Sequence, residues 1–89
     1  MAELEDIVGT ISNFWGKWED GVYYIHVSIN TENKKQNLVK FYCDGKGTEN
    51  LLYGLLESIK GRFKVSAQIE KILDENNRIY LGNTLSILD

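Results

Sequence analysis

The most constraining feature of this chain is the strict alternation in Val22 to Ile29, VYYIHVSI. Tyr23, Ile25, Val27 and Ile29 fall on one side, and Val22, Tyr24, His26 and Ser28 on the other. A period of two over eight residues predicts a β-strand that buries one face. Such a strand needs partners along its edges and a cover over its apolar side. The same alternation recurs in Leu38 to Cys43 (LVKFYC), with Val39, Phe41 and Cys43 inward and Leu38, Lys40 and Tyr42 outward. It returns in Arg62 to Ile69, with Phe63, Val65, Ala67 and Ile69 inward and Arg62, Lys64, Ser66 and Gln68 outward. Arg78 to Leu88 supplies a further strand with Ile79, Leu81, Leu85 and Ile87 on one face and Gly82 available for a bulge. Ile7 to Phe14 (IVGTISNF) reads as the first strand, with Gly9 as the site of a bend.

Between the third and fourth strands the period changes. Leu51, Leu52, Leu55, Leu56 and Ile59 recur at helical spacing, Thr48 can cap the helix N-terminus, and Gly61 stops it after Lys60. The remaining segments are turns: WGKWEDG (15–21), NTENKKQN (30–37), DGKG (44–47) and DENN (74–77). The predicted order is strand, strand, strand, helix, strand, strand. Five short strands in a flat sheet would leave open edges, so closure into a small barrel plugged by the lone helix is the economical solution.

At 89 residues the chain can form one small core, so a single domain over 1–89 is expected, with 1–5 as a flexible tail. One cysteine, Cys43, excludes an intrachain disulfide, and a domain this small without staples points to a reducing, cytoplasmic setting. The start MAELEDI reads as a mature terminus rather than a secretory leader, and no apolar run reaches the roughly 18 residues of a membrane span. The net charge of −3 is unevenly spread. Met1 to Asp6 holds three acids, whereas Trp15 to Lys46 holds five lysines against four acids.

IVGTISNF, the VYYIHVSI and LVKFYC hairpin, the intervening helix, and GRFKVSAQIEKI with RIYLGNTLSIL together resemble the OB-fold domains of the replication protein A and single-stranded-DNA-binding type. The resemblance is one of pattern and order over most of the chain. It implies an all-β fold with one helix (β-β-β-α-β-β), a five-stranded OB-fold barrel, whose ligand lies across strands two and three, rimmed by the loops joining strands one to two and four to five. Those positions are Trp15 to Gly21, the outward Tyr24, His26, Lys40 and Tyr42, and Asp74 to Asn77. The acidic DENN departs from what an anion-binding rim would carry.

The implied function is binding of single-stranded nucleic acid, DNA ahead of RNA, with low sequence preference, as an accessory protein of replication, recombination or repair. Trp15 and Trp18, with Tyr24 and Tyr42, supply stacking faces; Lys17 between the tryptophans can meet a phosphate. His26 can stack or hydrogen-bond a base. Lys34, Lys35, Lys40, Arg62 and Lys64 can track the backbone, and neutralising three to five phosphates would give a log–log salt slope of about −2 to −3.5. Each residue has a plainer reading: a tryptophan capping the core, tyrosines in cross-strand pairs, lysines on a solvated face. A protein-interaction module using the same aromatics, in contact with a protein partner or further copies of the chain, is the main alternative, and an oligosaccharide-binding domain the next.

Enzymatic signatures are missing. DGKGT lacks the G-x-x-x-x-G-K-[ST] of a phosphate-binding loop, because Gly47 follows the lysine. A single histidine and a single cysteine cannot build a zinc site from nitrogen and sulfur donors, so no metal, cofactor or catalytic residue is expected. Cys43 lies on the opposite parity to His26 and reads as a small buried hydrophobe.

Overall fold

A computed structural model describes residues 5–43 and 46–88, with side chains described for all of these except 46–51. Five strands and one helix follow the expected order: β1 (Ile7–Glu19), β2 (Val22–Asn30), β3 (Gln36–Tyr42), α1 (Lys46–Ile59), β4 (Lys64–Asp74) and β5 (Ile79–Leu88). The strands close in a ring, β1-β2-β3-β5-β4, in which β1 also pairs with β4. All pairings are antiparallel except β3 with β5, which run parallel from Leu38↔Ile79 to Phe41↔Gly82. Expected residues 1–4 of the tail, and Asp44 and Gly45 of the DGKG turn, lie outside the described residues.

The core follows the alternation. Ile25, Val27 and Ile29 of β2, Val39 of β3, and Val65, Ala67 and Ile69 of β4 are buried together with Ile11, Cys43, Leu56 and Ile59. Helix α1 begins at Lys46, so Thr48 lies inside it rather than at its cap. Its exit is as expected: Gly61 takes a φ of 70°, and its N–H donates to the Ile11 carbonyl at 3.0 Å, tying the helix end to β1. Leu55 departs from the expected apolar stripe and is exposed.

The strands differ from the expectation in four further ways, besides β3 starting at Gln36 rather than Leu38. First, β1 does not stop at Phe14; it runs through WGKW to Glu19, paired with β2 as far as Glu19↔Val22. Asp20 and Gly21 alone make the turn, both at positive φ, 49° and 79°. This is the two-residue connection whose twist matches the flanking strands. Second, the bend in β1 is a bulge at Ser12, where the register jumps from Ile11↔Ile29 to Asn13↔Ser28; Ser12 Oγ donates to Ser28 Oγ at 3.1 Å. Gly9 serves another purpose. A Cβ there would overlap the Asn30 carbonyl oxygen, so β1 crosses β2 too closely for a side chain.

Third, β4 starts at Lys64 and extends to Asp74, leaving Phe63 exposed ahead of it. Fourth, the predicted face of β5 is interrupted. Gln68 pairs with Thr84 but Ile69 with Gly82, so Asn83 is an extra residue and reverses the parity. Before it, Tyr80 rather than Ile79 or Leu81 packs on the core; after it, Leu85 does. Gly82 is required beside the bulge, because a Cβ would come within 2.6 Å of both Phe41 and Val39 side chains.

Candidate functional site

The strand pairings fix which candidate residues share a surface. Trp15 lies opposite His26, which lies opposite Lys40; Lys17 lies opposite Tyr24, which lies opposite Tyr42. Residues directly opposite on neighbouring strands point to the same face. These six therefore form two adjacent rows on the outer face of β1, β2 and β3. Glu19, two residues beyond Lys17, belongs to the same face.

Trp18 does not. Three residues from Trp15 in an extended strand is an odd step, so it points the other way. It pairs with Tyr23, the rings meeting edge-on with centroids 5.1 Å apart, and is 68% exposed. Gly16, on the same inner side, leaves room for the Tyr23 and Tyr53 hydroxyls, which share a 3.0 Å hydrogen bond between β2 and α1. The expected group of Trp15, Lys17, Trp18, Tyr24 and Tyr42 is thus divided between two surfaces because WGKW is strand and not loop.

Trp15 lies nearly flat on the His26 ring, 5.4 Å between centroids and 18° between planes, and remains 38% exposed. His26, expected as a surface polar residue, is only 5% exposed beneath that indole. Its Nε2 sits 3.3 Å from Glu19 Oε1, off the line of a hydrogen bond, and its Nδ1 has no partner among the described residues. Lys40 Nζ donates to Glu19 Oε2 and lies 4.7 Å from the centre of the Tyr24 ring. Tyr24 and Tyr42 meet edge-on at 6.2 Å, with Tyr42 59% exposed.

Charge on this face is largely self-compensated. The Lys40 hydrogen bond holds the Glu19 carboxyl below its ordinary range, against a smaller opposing effect of burial. Burial pushes the His26 imidazolium pKa below its ordinary value, with Glu19 opposing and Lys40 and Lys17 adding to the shift. Lys17 is exposed and makes no ion pair among the described residues.

The other expected cations lie elsewhere. Lys34 and Lys35 sit in the β2–β3 loop, closed by the Thr31 N–H on the Lys35 carbonyl at 3.1 Å, at the end of the sheet away from the Asp20–Gly21 turn. Lys64 neighbours Thr10 on β1 and pairs with Glu32 at 3.1 Å. Arg62 lies in the link between α1 and β4. In the β4–β5 turn Asp74 accepts from Asn77 Nδ2 at 2.7 Å and from its N–H at 3.2 Å, so its carboxylate is engaged locally. On the inner side, an apolar cavity of about 180 Å3 lies between α1 and the strands, bordered by Leu52, Leu55, Phe41 and Leu85.

From sequence, Glu19 and Asp20 read as a carboxylate pair in a turn with no setting to shift a pKa; instead Glu19 ends β1 beside His26 and Lys40, and Lys40 lowers its pKa. The signal for this placement was present: Trp15, Lys17 and Glu19 alternate with Gly16 and Trp18 once the strand is carried to the Asp-Gly turn. Compared with protein-family models, with curated proteins and with solved structures, the chain finds no match in any of the three. No helix among the described residues is long and apolar enough to cross a membrane.

Proposed function

We propose that the chain is an OB-fold domain that binds single-stranded DNA across the outer face of β1, β2 and β3, with low sequence preference, in replication, recombination or repair. The closed five-stranded sheet with its one helix between β3 and β4 supports the OB-fold reading. The observation that carries the binding reading is Trp15: an indole held flat by a buried histidine, with more than a third of its surface open. A preoriented aromatic plane stacks on any base, at about 1 to 3 kcal/mol per base. Tyr42 and Tyr24 lie one row further along the same face and continue the path toward the β1–β2 turn. Lys17, in the same row as those tyrosines and without an ion pair among the described residues, is placed for a phosphate.

Fluorescence titration of a Trp18→Phe variant, in which Trp15 is the sole indole, tests this reading. Oligothymidine should quench it, duplex DNA of equal length should not, and an RNA of equal length discriminates the backbone. An unchanged signal with all three overturns the reading.

One observation favours a protein-interaction module instead. Trp18 is the most exposed large apolar residue described, and it faces away from Trp15. Exposed tryptophans are frequent anchors of protein interfaces. Loss of oligothymidine binding together with oligomerisation abolished by Trp18→Ala would put that reading first.

A further inference from the structure

Stacking on Trp15 leaves one group beneath it unused. His26 is buried, its Nδ1 has no partner among the described residues, and its Nε2 lies 3.3 Å from a carboxylate whose other oxygen already accepts from Lys40. A neutral imidazole adds no charge to this cluster, so Lys40 and Glu19 cancel and Lys17 alone remains positive. An ion pair so close is a competitor for any phosphate that approaches Lys40. The groups facing His26 come from three strands: Glu19 and Lys17 on β1, Lys40 on β3, and Tyr24 on β2 itself.

We propose that His26 is an acid-operated gate on the nucleic-acid site: a proton taken from solvent by its imidazole claims the Glu19 carboxylate, frees Lys40 for phosphate and leaves Trp15 resting on a cation. The inference rests on the binding function proposed above and concerns its regulation. Protonated His26 donates from Nε2 to Glu19, which then lies between two cations instead of serving one. The face gains a full positive charge, and Lys40 no longer needs Glu19 to be neutralised. A phosphodiester on Lys40 stabilises the protonated state in return, so proton and strand favour each other's binding.

Oligothymidine is the probe, because thymine and its phosphodiesters neither gain nor lose protons near neutrality. At fixed low salt its affinity for the wild-type chain should rise about three- to ten-fold from pH 7.5 to pH 5.5, one linked proton allowing at most tenfold per unit. His26→Gln should flatten that dependence. Glu19→Gln should raise affinity at pH 7.5 toward the acid value and reduce the slope. In the free Trp18→Phe variant, Trp15 fluorescence should fall on acidification, because an imidazolium quenches an indole stacked on it. That arm needs neither bound strand nor a folded His26 variant.

A wild-type affinity that stays level across this range overturns the gate but leaves the binding function standing. A rise of equal size in His26→Gln overturns it too, as does a Glu19→Gln variant that binds more weakly at pH 7.5. Absence of binding at both pH values removes the gate and the proposed function together.

Discussion

At the scale of the residue, Trp15 and His26 are the informative pair. Alternation in VYYIHVSI correctly sends His26 to the outer face, yet an outer face is not an exposed one. The neighbour that buries it sits eleven positions away, on a strand whose extent depends on a glycine being tolerated in its middle. Trp15→Ala should weaken oligothymidine binding by the loss of one stacked base, about 1 to 3 kcal/mol or roughly five- to 150-fold, with the far-ultraviolet dichroism spectrum retained. Trp18→Ala should change that affinity far less. His26 also couples folding to pH. Burial lowers its pKa from the ordinary 6.5, so the unfolded chain takes up a proton first as the pH falls. Stability should therefore decline as pH drops below about 6.5 toward the folded pKa, and His26→Gln should remove that part of the decline. Urea midpoints at pH 7.5 and 5.5 for both chains check the sign. Glu19 acts in a lower window: its depressed pKa contributes stability that is lost as the pH falls below its ordinary 4.5.

At the scale of the element, the β1–β2 hairpin holds the site. Three glycines on or next to it have separate duties, and only the turn glycine is legible in the sequence, through its Asp-Gly dipeptide. The duty of Gly16 depends on a cross-strand tyrosine and a helix tyrosine meeting over it, which no local pattern reports. Gly16→Ala would drive a Cβ into the Tyr23 and Tyr53 hydroxyls, and should destabilise the fold by about 1 to 3 kcal/mol in denaturant unfolding. Gly21→Ala meets no atom within 4 Å, and its cost comes from the φ of 79°, about 1 kcal/mol. Reversal of that order in measured stabilities would mean that α1 does not pack over Gly16. The β5 face departs from strict alternation for a related reason: the extra residue at Asn83 reverses parity midway, and bulges leave little trace in composition.

At the scale of the whole molecule, element order and closure follow from the sequence because each strand's apolar face leaves few ways to be covered. Charge placement does not follow. Lys40 and Lys64, both plausible phosphate ligands on strand parity, are held by Glu19 and Glu32, partners remote in sequence. Lys17 on the outer face, and Lys34 and Lys35 in the β2–β3 loop at the far end of the same strands, make no ion pair among the described residues. Two to three neutralised phosphates give a log–log salt slope of about −1.5 to −2 at pH 7.5, shallower than five lysines would produce. Affinity for oligothymidine across a salt series measures it directly, and a slope near −3.5 would show that the ion pairs open on binding.

The odd spacing of the two tryptophans also sets a rule for how this chain can diverge. One residue inserted between Trp15 and Trp18 without a bulge to absorb it would carry one indole around to join the other on a single surface; a residue added at Asp20–Gly21 would leave both where they are. Length variation among descendants of this hairpin therefore comes in two kinds, one silent and one that exchanges a two-sided protein for a one-sided protein in a single step.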